Sequence, residues 1–393
     1  MVEELTWRMR PRFPHESAEA MRSLPLPRQL LRLRRRVRQA RMLARAFRFP
    51  HTPVNVHLIA TRRCNLSCTY CNEYDRTSPP VLTADLLRRV DRLASLGTGI
   101  LTISGGEPLL HPELHAIVAR TRAHGMIATV ITNGYLLTRE LVERLDAAGL
   151  DHLQISIDNM VPDGVSKKSL KVLDRKLQLL ADCARFDVTV NAVVGAGTQC
   201  PEDALAIAER ARQLRFSATV GIIHSTGGSI RPLDERQRGI VERIARLERS
   251  RFDFAGYSRF QKNLSAGRPN DWHCPAGARY LYVCEDGLVH WCSQQRGHPG
   301  IPLEDYTPAD LEREHRIVKR CAPFCTIGCV HRVAQLDELR ADPAGTLAAW
   351  FAPGDGPQAA GPPLSIRVLQ WMLVTGPHRD VFRRAAQRML DVG

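Results

Sequence analysis

The stretch VNVHLIATRRCNLSCTYC, residues 54–71, joins a short apolar run to a loop that carries three cysteines. The run at 54–60 is continuous and rich in Val, Leu and Ile, which is typical of a parallel strand buried on both faces. The loop after it has the spacing C-x3-C-x2-C, with cysteines at Cys64, Cys68 and Cys71. The sequence therefore predicts three thiols gathered at one end of a buried strand.

Further short apolar runs follow this one, and helical patterns separate them. The predicted strands are 54–60, 100–104, 126–131, 152–157, 188–194 and 218–223, and the predicted helices between them are 83–96, 112–124, 138–148, 166–185 and 201–214. Such alternation predicts an α/β fold with a parallel sheet and right-handed crossovers, either open or curled toward a barrel. A further helix is predicted at 233–249, after which the alternation stops.

Composition narrows the class of protein and its compartment. The chain has 393 residues and a net charge of +14, but residues 1–50 alone hold 13 Arg against four Glu. The rest is nearly balanced, so nucleic acid is not the expected partner. There is no secretory signal and no apolar run of about 18 residues that could span a bilayer. Eleven cysteines in a chain expected in the cytoplasm indicate metal binding or catalysis rather than disulfides.

Residues 26–48 read as a basic helix in which Leu, Val and Ala alternate with nine Arg. We expect this helix to pack its apolar stripe on the body of the protein and to show arginine to water. The alternative is contact with an anionic membrane surface or an acidic partner, which would place the protein at the periphery of the membrane.

Polar residues follow four successive predicted strands at or near the ends that share one rim. They are Gly105, Gly106 and Glu107 after the second strand, Thr132 after the third, Ser156 and Asp158 at the fourth, and Asn191 on the fifth. Parallel α/β folds assemble their sites on this rim, which also carries the cysteine loop.

Three thiolates on one short loop can hold three irons of a cubane cluster and leave the fourth iron open. The alternative is a three-thiolate zinc site, although zinc fingers usually show two paired C-x2-C elements, which this loop does not. The motifs that follow the loop favour the cluster.

With this order of motifs, residues 54–223 resemble the radical S-adenosylmethionine (SAM) superfamily. The resemblance implies a partial six-stranded (β/α) barrel, a 4Fe–4S cluster on Cys64, Cys68 and Cys71, and SAM bound to the open iron. It also implies SAM contacts, with Tyr70 near the adenine, Gly105, Gly106 and Glu107 at the methionine amino end, and Thr132, Ser156 and Asn191 near the carboxylate or ribose. We expect the glycine pair to let the backbone approach SAM closely, and Glu107 to offer its charge to the ammonium group.

A second group of cysteines lies in a Gly- and Pro-rich region, 270–332, that shows little periodicity beyond a strand near 280–284. The spacing from Cys274 through Gly287 to Cys292 resembles the opening of the SPASM and twitch extensions of radical SAM enzymes. Two full clusters would need about eight thiolates, so we expect one auxiliary 4Fe–4S cluster. Its expected ligands are Cys274, Cys292 and two of Cys321, Cys325 and Cys329, with structural zinc as the alternative.

These features predict four segments: a basic helical segment at 1–50, the radical SAM core at 51–250, the auxiliary cluster region at 270–335, and a linker with a terminal helix at 352–393. The only candidate for a catalytic side chain is His224, after the sixth strand, and a structural role for it is as well supported. The lysines at 167, 168 and 171 are interpreted as a solvated helix start, with contact to an anionic substrate as the alternative.

The resemblance implies reductive cleavage of SAM to a 5′-deoxyadenosyl radical, which abstracts hydrogen from a small-molecule or peptide substrate with an oxidative outcome. A donor such as flavodoxin or ferredoxin would supply the electron. Two alternatives are a non-catalytic iron–sulfur redox sensor or scaffold and an RNA-modifying radical enzyme. The near-neutral body argues against the second of these.

Overall fold

A computed structural model describes residues 28–195, 198, 200–223, 231–247 and 255–350, with isolated positions between 371 and 384. The candidate His224 and the predicted linker at 352–363 lie outside the described residues, as does nearly all of the terminal helix predicted near 364–391.

Strands and helices alternate along the first part of the chain as the sequence predicts. The strands are β1 (Asn55–Thr61), β2 (Ile100–Gly105), β3 (Ile127–Thr132), β4 (His152–Ser156), β5 (Asp187–Gly195) and β6 (Ser217–Ile223). The helices are α1 (Arg28–Arg48), α2 (Thr83–Ser95), α3 (Leu114–Ala123), α4 (Arg139–Ala147), α5 (Leu170–Cys183), α6 (Glu202–Gln213) and α7 (Glu235–Leu247).

Strands β1 to β6 are all parallel and pair in sequence order. Because every crossover is a helix, the carboxyl ends of the six strands meet on one rim. The register aligns that rim: Ser156 at the end of β4 pairs with Asn191 on β5, and Thr132 at the end of β3 pairs with Ile155. The predicted open, barrel-like α/β fold is therefore confirmed.

The helices bury one apolar face each against this sheet. In α2, Leu86, Val90 and Leu93 lie at helical spacing and are fully buried with Leu58 and Leu101 of the strands. Burial of one such leucine contributes about 1.5–3 kcal/mol, so the sheet–helix layers supply the main stability of the barrel.

The second cysteine region is more regular than predicted and is part of the same sheet. The region forms β7 (Tyr280–Val283), β8 (Leu288–His290), β9 (Pro299–Pro302), α9 (Pro308–Arg316) and the start of α10 (Gly328–Ala341). Helix α8 (Ala255–Ser265) precedes it, and α11 (Pro343–Trp350) follows it. Strand β7 pairs in parallel with β1, so the sheet runs on from β1 to β9. The expectation of little regular structure is wrong because β1 supplies a long-range partner that local periodicity does not reveal.

Arg279 fixes this junction. Its guanidinium group is fully buried and donates to the carbonyl oxygens of Ala46, Phe49 and Thr52 at 2.8, 2.7 and 3.1 Å. It also pairs with Asp337 of α10 at 2.9 Å. One side chain thus joins the end of α1, the approach to β1 and the second cysteine region.

Helix α1 packs on the protein with the face opposite to the one we expected. Arg35 is buried and pairs with Asp187 at 2.5 Å, and Arg38 pairs with the buried Asp151. Leu33 is 57% exposed and Val37 is 42% exposed. The expectation that the apolar stripe packs on the body is wrong, because two carboxylates beneath the helix give the inward arginines ion-pair partners. Among the described residues, no helix is both long and apolar enough to cross a lipid bilayer.

Candidate active site

The loop of Cys64, Cys68 and Cys71 leaves β1 at the shared rim and is closed at its base. The Cys64 amide donates to the carbonyl oxygen of Asp75 at 3.0 Å, and the Asp75 amide donates to that of Arg62 at 2.8 Å. This pair of hydrogen bonds ties the two ends of the loop together. The three cysteines therefore lie on a loop whose two ends are held together by hydrogen bonds.

The glycine pair after β2 makes room for that loop. A Cβ at Gly105 would lie 2.2 Å from the carbonyl oxygen of Thr61, and one at Gly106 would lie 2.3 Å from that of Arg62 and 2.4 Å from that of Arg63. The Gly106 amide donates to the Thr61 carbonyl at 2.8 Å. The close approach within this chain runs between the end of β2 and the base of the cysteine loop, and the expected approach of the same backbone to SAM stays a prediction.

Glu107 joins two strand ends from inside the protein. Its side chain is fully buried, and it accepts hydrogen bonds from the Thr132 hydroxyl and the Asn133 amide, both at 2.7 Å, and from the Leu109 amide at 3.0 Å. Burial raises the pKa of Glu107, and these donors oppose the rise. Both oxygens are thus engaged by this chain, so the carboxylate and the Thr132 hydroxyl stand behind the rim surface.

A charged network that the sequence did not reveal holds the cysteine loop from its other side. The Tyr70 hydroxyl donates to Asp158 Oδ2 at 2.5 Å and accepts from Lys168 Nζ at 2.6 Å. Lys168 also pairs with Asp158 at 3.1 Å, and both side chains are largely buried. Burial disfavours the ammonium form, but Asp158, Tyr70 and Cys68 together outweigh this effect and raise the pKa of Lys168. The interpretation of Lys168 as part of a solvated helix start is therefore wrong.

Further contacts join the same two segments, the cysteine loop and the loop between β4 and α5. The Thr69 amide donates to the Val165 carbonyl at 3.0 Å, and Cys68 Sγ lies 3.4 Å from Ser166 Oγ. Cys68 and the residue after it are thus both anchored, which limits how far its thiol can move.

The three thiols suit a metal cluster in their chemistry. Burial raises the pKa of Cys64, and it raises that of Cys71 to about 11, with nearby negative charge adding to both shifts. Cys64 and Cys71 therefore lose their protons readily only when positive charge is supplied, and a cluster of iron ions would supply it. The ammonium group of Lys168 adds positive charge from the protein side. It lowers the pKa of Cys71, and the charge of Cys68 in turn raises the pKa of Lys168.

Ser156 and Asn191 lie side by side on the rim, at paired positions of β4 and β5, and both are half-buried. The Thr219 hydroxyl of β6 donates to Asn191 Oδ1 at 2.9 Å, which orients the amide group. With Tyr70, also half-buried, these side chains reach the rim surface that Glu107 does not. Their contact with SAM stays a prediction.

Four of the second-group cysteines lie together. The thiol of Cys325 is within electrostatic reach of those of Cys274, Cys292 and Cys321. Burial raises the pKa of Cys274 to about 11 and that of Cys292 to about 12. The thiol of Cys329 has Arg332 and Glu73 among its charged neighbours, and it acts on Tyr280 together with the thiols of Cys292 and Cys325. The choice of two ligands among Cys321, Cys325 and Cys329 therefore stays a prediction.

A third group combines Cys284, Asp286 and His290 at the β7–β8 hairpin, with ligand atoms within 4.8 Å of one another. Cys284 is buried at the end of β7. The Gly297 amide donates to His290 Nδ1 at 3.0 Å, and the Leu288 amide donates to Asp286 Oδ1 at 2.9 Å. Two of the three groups are thus engaged within the hairpin, and we assign no metal to them.

Comparison with known proteins agrees with this geometry. Residues 58–238 match the family model described as "Radical SAM superfamily". The chain is 43% identical over 101 residues to an "AdoMet-dependent heme synthase" of Methanosarcina barkeri (strain Fusaro / DSM 804), a match that covers 25% of this chain and 29% of that protein. It is 35% identical over 121 residues to a "PqqA peptide cyclase" of Gluconobacter oxydans (strain 621H), which covers 30% and 34%. Each match spans about a third of the relative's own length.

Among solved structures, SuiB of Streptococcus suis bound to S-adenosylmethionine superposes with a TM-score of 0.50 at 15% identity, over 73% of this chain and 75% of that chain. SuiB bound to the precursor peptide SuiA gives a TM-score of 0.50 over 76% of each. At this identity the likeness shows the fold alone. The superfamily predicted from the cysteine loop and the rim motifs is confirmed, with the 4Fe–4S cluster and SAM as the cofactors of that family. Residues 58–238 form a domain of the radical SAM superfamily.

Proposed function

We propose that the chain is an enzyme that cleaves SAM reductively and uses the resulting radical to abstract hydrogen from an organic substrate. The observation that carries the proposal is the closed loop of Cys64, Cys68 and Cys71 at the shared rim. A 4Fe–4S cluster held there would supply one electron to the sulfonium of SAM, which would break its C–S bond to give methionine and a 5′-deoxyadenosyl radical. The rest of the reaction depends on how this chain holds the cluster loop and SAM.

The residues around the loop divide into two tasks under this proposal. Gly105 and Gly106 let the end of β2 press against the base of the loop, and Glu107 locks that end to β3. Ser156 and Asn191 on the open rim would bind SAM, through its ribose or carboxylate. Glu107 and Thr132 would then act by holding the shape of the site from behind, since their polar atoms already have partners.

We assign the auxiliary cluster of the proposed SPASM- or twitch-like region to Cys274, Cys292, Cys321 and Cys325. Mutual electrostatic reach of their thiols supports this set. A cluster there can accept the electron that a substrate radical releases, and this supports an oxidative outcome. The proposed boundaries are 51–250 for the radical SAM core and 270–335 for the auxiliary region, with 1–50 and 352–393 outside both. If the same thiols bind structural zinc instead, metal analysis of protein prepared without added iron should detect zinc.

The substrate is proposed as a small organic molecule or a peptide. One named relative is a peptide cyclase, and SuiB is seen with its precursor peptide, which supports the peptide. Another is a heme synthase, which supports the small molecule. A low-potential donor such as flavodoxin or ferredoxin would deliver the electron. All eleven cysteines are free, as expected of a reducing, cytoplasmic compartment.

The direct test is to add dithionite and SAM to anaerobically reconstituted protein and to quantify 5′-deoxyadenosine. The proposal predicts its formation by the wild-type chain and none by the Cys64→Ala/Cys68→Ala/Cys71→Ala variant. A Cys183→Ala variant, which removes a cysteine on α5 outside both groups, is the matched control and should retain the activity. No 5′-deoxyadenosine from fully loaded wild-type protein would refute the proposal and favour a redox sensor.

A further inference from the structure

Helix α1 is held to the protein by its arginines and turns apolar side chains outward. Arg35 pairs with Asp187 at 2.5 Å and donates to the Arg185 carbonyl at 2.7 Å. Arg38 pairs with the buried carboxylate of Asp151. These contacts fix which face of the helix meets the body, so the opposite face is set as well.

The outward face carries a continuous apolar stripe. Leu30, Leu33 and Val37 are 36%, 57% and 42% exposed, and exposed Ala40 and Ala44 extend the row. Their spacing of three or four residues places all five on one side of the helix. A stripe of this length is unusual on a water-facing surface, where large apolar residues normally stand singly.

Cationic side chains border the stripe. Arg34, Arg41 and Arg48 recur every seven residues along one edge, Arg36 lies on the other edge, and all four are exposed. Within the described part of the chain, none of these four guanidinium groups forms an ion pair with a carboxylate. These exposed charges complement an external anionic partner.

We propose that α1 lies on an anionic lipid surface, with the apolar stripe in the interface and the flanking arginines on the lipid phosphates. An apolar row between two cationic edges is the pattern of helices that lie in the plane of a membrane interface. Anionic headgroups complement the edges, and each nearby arginine strengthens the attraction. A nucleic acid complements the charge but offers nothing to the exposed leucine and valine between the edges.

This surface lies beside the amino ends of β4 and β5, because Asp151 directly precedes β4 and Asp187 begins β5. The rim with the cysteine loop is at the opposite, carboxyl ends of the strands. Membrane contact is independent of SAM cleavage and of the clusters.

The test measures binding of the full-length protein to sedimented vesicles. We expect binding to vesicles of phosphatidylcholine with phosphatidylglycerol to be at least about tenfold tighter than to phosphatidylcholine alone, and to weaken as salt increases. Val37→Glu should weaken binding by about tenfold, because it places a carboxylate in the stripe. Val172→Glu is the matched control, since Val172 is 41% exposed on α5 and should bind as wild type.

A second variant, Arg34→Gln/Arg41→Gln, tests the cationic edge and should lose the preference for anionic vesicles. Far-ultraviolet circular dichroism and thermal unfolding of each variant should match the wild type, because the changed side chains are exposed. Equal binding of Val37→Glu and Val172→Glu overturns the proposal. Two other results overturn it. If the wild-type chain does not bind vesicles and Val37→Glu dissociates a dimer, the stripe is an interface between two copies of the chain. If only the arginine variant shows an effect, and that effect is a loss of affinity for RNA, the partner is a nucleic acid.

Discussion

Replacing Lys168 by methionine removes the cation of the network that holds the cysteine loop. The change keeps a long apolar stem but leaves the Asp158 carboxylate, which is only 4% exposed, with the Tyr70 hydroxyl as its remaining side-chain donor among the described residues. The ion pair at 3.1 Å is lost, as is the 2.6 Å hydrogen bond to Tyr70. Removal of one partner from a buried pair costs about 3–5 kcal/mol, because the other charge stays uncompensated.

Chemical unfolding under anaerobic conditions measures this loss, and iron content per chain measures its effect on the loop. We expect Lys168→Met to lower the free energy of unfolding by about 3–5 kcal/mol and to lower the iron content. Lys167→Met is the control, because Lys167 is exposed and its ammonium group donates only to the Asp163 carbonyl, at 2.7 Å. That variant should stay within about 0.5 kcal/mol of the wild type.

A double variant separates charge from packing. Adding Asp158→Asn to Lys168→Met removes the uncompensated carboxylate while the Tyr70 hydroxyl can still donate to the amide oxygen. The double variant should recover most of the lost stability. If Lys168→Met costs no more than Lys167→Met, the buried network does not hold the loop and this reasoning is refuted.

Three other substitutions test separate parts of the account. Gly106→Ala should lower iron loading, since its Cβ would strike two backbone oxygens of the cysteine loop, whereas Gly164→Ala meets nothing within 4 Å and should load as wild type. Burial lowers the pKa of His57 from 6.5 to about 4, so its neutral form contributes stability that is present above pH 6.5 and is lost as pH falls toward 4. The free energy of unfolding should therefore fall by about 2 kcal/mol between about pH 7 and pH 5, and His57→Gln should abolish this pH dependence. Cys321→Ala should lower iron from about eight to about four per chain, while Cys329→Ala should leave it near eight, and equal loss from both would contradict the assigned ligand set.

The sheet and its rim could be predicted because the signals are local. Short Val- and Ile-rich runs separated by helical patterns specify parallel strands, and the polar residues that follow them must then share an edge. The spacing of Cys64, Cys68 and Cys71 within one loop indicates a metal-cluster site without further information. These features need no knowledge of distant contacts, and the structure agrees with them.

The remaining features depend on partners far away in the chain. Lys168 resembles any lysine before a helix until Asp158 and Tyr70 close around it. Arg35 and Arg38 read as the polar face of α1 until carboxylates on the body meet them. The pattern alone identifies an amphipathic helix but does not say which face is buried.

The glycine pair shows the same limit in a different form. The sequence indicates that Gly105 and Gly106 permit a close approach, but not which group approaches. The structure identifies the base of the cysteine loop as that group. Likewise β7 was recognised as an apolar run, but its parallel pairing with β1, and hence the continuity of the sheet, follows only from the tertiary structure.

The central claim is that three thiols hold a cluster with one iron left for SAM. Electron paramagnetic resonance of the reduced, anaerobically reconstituted protein tests it most directly, with a Cys274→Ala/Cys292→Ala variant used to isolate the signal of the cluster on Cys64, Cys68 and Cys71. The account predicts that saturating SAM shifts the g-values of that signal. A spectrum that SAM leaves unchanged would contradict the claim that an iron of this cluster is open to the ligand.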